Sequence, residues 1–226
     1  MNPEAVIRSA TTWKAVPMVD NIRLLTAAEP SGVVDLWEGL QQGEPPFWAA
    51  AWTSGKALAR YLLDHPHVVS GRAVLDVGSG SGIVAIASMK AGARKVMACD
   101  VDPVAIIAIR MNAEANGVVV TTRNVDCFTD PPGDPEVVLA ADVFYESGLA
   151  RRAHRWLCAA AGRGAYVLAA DPGRGLLPTE SARQLARFEV PARDELPDGA
   201  KDTVTIYQMG NDTSPRPVRG PGPFTI

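Results

Sequence analysis

Apolar positions along this chain recur with a helical and a strand period in turn. In SGKALARYLLDH (54–65), Leu58, Tyr61 and Leu62 share one helical face, and Pro66 stops the run. AVLDV at 73–77 is short and β-branched, consistent with a buried strand. A helical segment from about Ile83 to Ala91 follows, then a second strand, KVMACD, ending at Asp100. Pro103 opens a helix that runs to about Asn116-Gly117, because proline is tolerated in a first turn and glycine ends a last one. VVVTT (118–122) and EVVLAAD (136–142) read as strands, followed by a helix from about Ser147 to Ala161. AYVLAAD (165–171) is a further strand, and the pattern predicts a helix over about Thr179–Arg187. FEVPA (188–192) and TVTIYQM (203–209) have only a polar loop between them, so they should pair antiparallel. Strands alternating with helices imply a parallel sheet covered on both faces. The expected fold is α/β, a doubly wound, mostly parallel, seven-stranded sheet with one antiparallel strand near the edge.

Composition narrows the class. The 226 residues suit one domain with short extensions, and 47% hydrophobic with 21% charged residues is the globular range. Residues 1–46 read as an irregular amino-terminal extension, 47–210 as the domain, and 211–226, with four prolines, as a loose tail. The net charge of −3 argues against phosphate wrapping, so no nucleic-acid partner is expected. No apolar run approaches the roughly 18 residues a membrane helix needs. Arg8, Lys14 and Arg23 are interspersed with Glu4 and Asp20, which resembles no secretory leader. Cys99, Cys127 and Cys158 are widely spaced and read as free thiols in a reducing compartment, the cytoplasm. His65, His67 and His154 lack metal-ligand spacing, so no metal site is expected.

Candidate chemistry gathers at strand ends. Ligands of doubly wound sheets bind there, and the first strand runs into Asp76-Val77-Gly78-Ser79-Gly80-Ser81-Gly82. A dinucleotide fingerprint would need Gly or Ala where Ile83 stands. An acidic residue at the loop's start repels a pyrophosphate and suits a ligand ammonium. Asp100 ends the second strand and can accept both hydroxyls of a ribose. Asp126 lies after the third strand, where it could accept from an adenine amino group or simply cap a turn.

With VLDVGSGSG and CDVDP in these places, the chain resembles the class I S-adenosylmethionine-dependent methyltransferases from about Pro45 to Gly210. The resemblance implies S-adenosyl-L-methionine as cofactor, held by Asp76, Gly78, Ser79, Gly80, Gly82 and Asp100. It further implies Asp126 and Cys127 at the adenine, with Ala141 and Trp52 lining the pocket. PPFWAAAWTSGKALARYLLDHP, together with AADVFYESGLA and AADPGRG, is similar to the seven-strand protein-lysine methyltransferases. Among these it is most similar to the electron transfer flavoprotein beta-subunit lysine methyltransferases and their bacterial relatives. The DxxY signature of that branch falls on Asp142-Val143-Phe144-Tyr145. The implied partner is a protein, the flavoprotein's beta subunit. Nicotinamide-like small molecules and a ribosomal protein are alternative acceptors, and a non-catalytic cofactor-binding module is a third reading.

Methyl transfer to lysine needs a neutral amine, yet a lysine ammonium titrates near pH 10.4. An apolar, aromatic surrounding disfavours the charged form. Phe144 and Tyr145 could build that wall, with Asp142 holding the ammonium. Each has a plainer use: Asp142 as cap of the following helix, and the two rings as core aromatics. Trp48 and Trp52 could equally staple the leading helix to the sheet. Arg174 could meet an acidic substrate patch or only fix its loop, while Arg151, Arg152 and Arg155 read as a solvated helix face.

Overall fold

A strand made almost wholly of apolar residues can be stable only if both of its faces are covered, and Ala73–Val77, apolar but for Asp76, and Val137–Ala141 are such strands. The computed structural model describes residues 3–27, 45–191 and 201–210. The amino end supplies helix α1 (Pro3–Ala10) and an antiparallel ribbon of β1 (Thr11–Ala15) and β2 (Arg23–Ala27). Helix α2 (Thr53–Asp64) precedes the alternation β3 (Ala73–Val77), α3 (Ile83–Lys90), β4 (Lys95–Asp100), α4 (Pro103–Ala115), β5 (Thr121–Asn124) and β6 (Val137–Ala141). Helix α5 (Ser147–Gly162), β7 (Tyr166–Asp171), β8 (Ala182–Pro191) and β9 (Lys201–Met209) complete it.

The main sheet has seven strands in the order β5-β4-β3-β6-β7-β9-β8. All neighbours are parallel except β9, which runs antiparallel to both β7 and β8. This is the expected doubly wound sheet. Successive residues of β3 face opposite layers: Val74 packs with α2, α3 and α4, whereas Leu75 and Val77 pack with α5. Helix α3 is apolar on every side from Ile83 to Ala87 and buried from Ile83 to Ser88. A β-carbon on Gly55 would lie 3.0 Å from Ile83 Cγ2, so the small residue permits the close approach of α2 to α3.

Three expectations fail. Residues 179–187 form no helix; a 3-10 turn at Thr179–Ser181 leads into β8, which pairs with β9. A register shift between Gln184 and Ala186 interrupts the two-residue alternation that would have marked the strand, and leaves helix-favouring Ala, Gln, Leu and Arg as the visible signal. The third strand begins at Thr121, not Val118, because the chain leaving Gly117 first meets β4 at Met97. Residues 1–46 are not irregular where described. Helix α1 and β2 bury Ile7, Leu25 and Ala27 with Trp48 against Ala105, Ala108 and Met111 of α4. The proposed tail, 211–226, lies outside the described residues.

Candidate cofactor and acceptor site

Beyond β3 the chain turns through Gly78, Gly80 and Gly82 at φ 64°, 53° and 82°, a region glycine enters without steric penalty. Space separates their roles. A β-carbon would lie 3.1 Å from Val143 at Gly78 and 3.1 Å from Ile109 at Gly82, but at Gly80 it would meet nothing within 4 Å. Gly80 therefore borders open space at the carboxyl edge of the sheet, where a ligand can lie against backbone. Asp76 is buried beneath this loop and accepts from Ser79 Oγ. Burial pushes its carboxyl up to about 7, against the pull of that hydroxyl. Asp100 Oδ2 accepts from the Gly80 amide at 2.8 Å and Oδ1 from the Asp102 amide at 3.0 Å. Burial raises its pKa, and those amides pull it back. A carboxylate offers about four acceptor sites, so each oxygen keeps capacity for a hydroxyl.

Asp126 is already engaged. Its Oδ1 accepts from Phe128 N at 2.9 Å and its Oδ2 pairs with Arg152 at 2.7 Å, the turn-capping use its residue type also allows. Cys127 lies against Cys99, and that hydrogen bond, with burial, pushes the Cys127 thiol up.

A second group of side chains converges one strand away. Ala141 ends β6, and Asp142 follows at φ 56°, a left-handed conformation that aspartate tolerates better than most residues. Asp142 Oδ2 accepts from the Ser54 amide at 3.2 Å, and Oδ1 pairs with Arg174 at 3.0 Å. Trp52, at the N-cap of α2, has no capping side chain of its own, so Asp142 caps that helix from across the sheet. The cap of α5 is Glu146, which accepts from Gly148 N and Leu149 N at 2.6 and 2.8 Å. Burial raises the pKa of Asp142 and the Arg174 charge lowers it. Asp171 ends β7, with Oδ2 accepting from Gly173 N at 2.7 Å; its buried Oδ1 has no partner among the described residues. Burial raises its pKa too.

Three exposed rings stand beside Asp142. Phe47 lies 5.9 Å from Trp52 and 5.8 Å from Tyr145 between centroids, and Trp52 Nε1 donates to Phe47 O at 2.7 Å. Tyr145 is 50% exposed, but Phe144 is 0% exposed and packs with Ala150, Trp156 and Leu157. The wall at this corner is therefore Phe47, Trp52 and Tyr145, and Phe144 supports it from the core. Trp48 is buried against α4.

Two participants carried only a weak sequence signal. Phe47 sits in the PPFW stretch without any periodicity. Asn112 is a polar residue within the apolar helix α4; its Oδ1 accepts from Leu25 N at 2.9 Å and its Nδ2 donates to Ser81 O at 2.8 Å. It ties the amino-terminal ribbon to the glycine loop.

Residues 57–141 match the family model described as ribosomal protein L11 methyltransferase (PrmA). The electron transfer flavoprotein beta subunit lysine methyltransferase of Rattus norvegicus is 37% identical over 184 residues, 77% of this chain and 69% of that protein. A ribosomal protein L11 methyltransferase of Symbiobacterium thermophilum is 44% identical over 141 residues, 58% of this chain and 44% of that protein. Among solved structures, magnesium protoporphyrin IX methyltransferase from Synechocystis PCC 6803, with bound SAM, has a TM-score of 0.52 at 14% identity, covering 70% of this chain and 78% of its own. At that identity the likeness is one of fold.

Proposed function

The chain belongs to the electron transfer flavoprotein beta subunit lysine methyltransferase family, and from that premise we propose that its acceptor is a lysine side chain of that flavoprotein's beta subunit. It is an S-adenosylmethionine-dependent methyltransferase. The observation that carries the choice of acceptor is the 69% span of the rat relative, against 44% of the ribosomal-protein relative.

S-adenosylmethionine supplies an electrophilic methyl group on sulfur. The open space at Gly80 and the buried carboxylates of Asp76 and Asp100 fit its amino-acid and ribose parts. In this reading Gly78, Ser79, Gly80 and Gly82 present backbone to it, and Asp126, Cys127, Ala141 and Trp52 line the remainder. Asp142 receives the acceptor ammonium in place of Arg174. Phe47, Trp52 and Tyr145 exclude water, which favours the neutral amine. The carboxylate of Asp142 orients the nitrogen and stabilises the methylated cation; its affinity for protons is far below that of the amine, so it is not the final base, and the ammonium loses its proton to the buffered bulk solvent before transfer. Positioning and desolvation are the protein's contribution to this displacement.

Three free thiols support placing the protein in the reducing cytoplasm. Among the described residues no helix is long and apolar enough to cross a membrane. Residues 47–210 would form the catalytic domain, with the amino-terminal segment docked on α4.

The test is transfer of label from the cofactor to purified electron transfer flavoprotein. We expect label on lysine of the beta subunit; label on ribosomal protein L11 instead would overturn the assignment.

A further inference from the structure

Asp142 divides its carboxylate between two kinds of partner. Oδ2 accepts from the Ser54 amide at 3.2 Å and belongs to the cap of α2, a bond between fixed elements. Oδ1 accepts from Arg174 Nη1 at 3.0 Å, a bond to a side chain. A guanidinium carries five donors; Arg60 uses two of its own on Asp64, whereas a single one joins Arg174 to Asp142. The Arg174 side chain is 37% exposed and that of Asp142 15%, so the cation reaches the carboxylate from the solvent side. An acceptor amine must enter from the same side.

The loop that carries Arg174 also offers it a second carboxylate. Asp171 is buried, and its Oδ1 has no hydrogen-bond partner among the described residues. Burial raises its pKa, the Gly173 amide and the Arg174 charge lower it, and the Asp142 carboxylate raises it. The guanidinium therefore lies within electrostatic reach of both acids. Arg174 stands between Gly173 and Gly175, at φ 83° and 77°, and a β-carbon on either would meet nothing within 4 Å. No packed neighbour fixes the loop at those two positions.

We propose that Arg174 is a displaceable counter-ion, which holds the acceptor seat on Asp142 until a substrate cation takes its place and then turns to Asp171. The inference rests on the acceptor being a lysine side chain, and it makes Arg174 a specificity-determining residue for that reaction. An acceptor that brings a positive charge exchanges one ion pair for another, and an exposed pair is given up at little cost. A neutral acceptor, such as a nicotinamide-like ring, would leave the largely buried Asp142 carboxylate without a counter-charge, so the pair discriminates against it. Burial raises the pKa of Asp142 and the Arg174 charge lowers it, so the seat is kept ionised while it waits.

Two measurements test the exchange. In the first, methyl transfer to purified electron transfer flavoprotein is followed against acceptor concentration. Arg174→Ala removes the competing cation, so KM for the flavoprotein should fall by roughly two- to fivefold, with kcat within about twofold of wild type. Arg174→Lys keeps a cation on the loop and should restore the wild-type KM. Asp171→Asn takes away the second carboxylate and should raise KM by a similar factor, an effect that should vanish in combination with Arg174→Ala. An unchanged KM in Arg174→Ala, a raised one, or an Asp171→Asn effect that survives in the double variant would each overturn the proposal. In the second, side-chain nitrogen NMR of the wild-type protein with S-adenosylhomocysteine follows the Arg174 Nε signal, assigned by its absence from Arg174→Ala. We expect added butylammonium chloride to move this signal, and sodium chloride or butanol at the same concentration to leave it in place. No response to butylammonium, or equal responses to all three, would also overturn the exchange. Absence of methyl transfer to the flavoprotein by the wild type would remove the acceptor assignment, while the Arg174 signal still judges the seat.

Discussion

Asp142 is held by three demands at once: a left-handed backbone, a cap for α2 and an ion pair with Arg174. Asp142→Asn keeps an oxygen for the Ser54 amide but removes the charge that would receive an ammonium. The fold should persist, cofactor affinity should change little, and methyl transfer should fall roughly ten- to hundredfold, the loss of one charge-assisted contact. Transfer at the wild-type rate would reduce Asp142 to a helix cap. The glycines next to it separate two other effects. A methyl group at Gly82 would collide with Ile109, so Gly82→Ala should lower unfolding stability, by about 1–2 kcal/mol from the backbone alone. At Gly80 the same methyl group enters open space, so beyond a similar backbone cost Gly80→Ala should impair cofactor binding seen by calorimetry. Equal binding by the two variants would contradict this division. The sequence showed which residue types stand at the strand ends. It could not show that Phe144 turns inward and Tyr145 outward, since that depends on the turn after β6 and the packing of α5.

Helix α4 shows what one polar residue does within an apolar element. Asn112 satisfies a buried amide of β2 and a buried carbonyl of the glycine loop. Asn112→Ala leaves both without partners, which should cost about 1–3 kcal/mol in denaturant unfolding and loosen cofactor binding. An unchanged midpoint and an unchanged affinity together would show that the bridge is idle. Beside it, Asn116 accepts from Arg23 N at 3.1 Å and adds a second tie to the ribbon. Both contacts join residues about ninety positions apart, so no local pattern announces them. The same reason hides β8: its partner β9 and its register shift lie elsewhere in the chain, and local helix propensity points the other way.

Across the whole molecule, Asp76, Asp100, Asp142 and Asp171 form a rim at the carboxyl ends of β3, β4, β6 and β7, and burial raises the pKa of each. A carboxyl raised on folding favours the folded state while the unfolded chain is still protonated. For Asp76 that contribution is complete below about pH 3.9 and is lost as pH rises through about 7. Thermal melts of the free protein should therefore show rim-dependent stability declining from pH 5 to 8, with a flatter profile for Asp76→Asn. A bound ammonium favours the ionised rim, so S-adenosylmethionine should bind more tightly as pH rises through 7. Identical profiles for Asp76→Asn and wild type would remove Asp76 from this account. Alternating periods and turn residues are local properties, and they sufficed for the order of strands and helices from α2 to β7, the antiparallel β9 and the acidic residues at strand ends. Side-chain direction at the Asp142 corner, the bridge through Asn112 and the docking of the amino-terminal ribbon arise where distant segments meet. Only the tertiary structure decided those, because burial and hydrogen-bond partners are properties of the assembled chain.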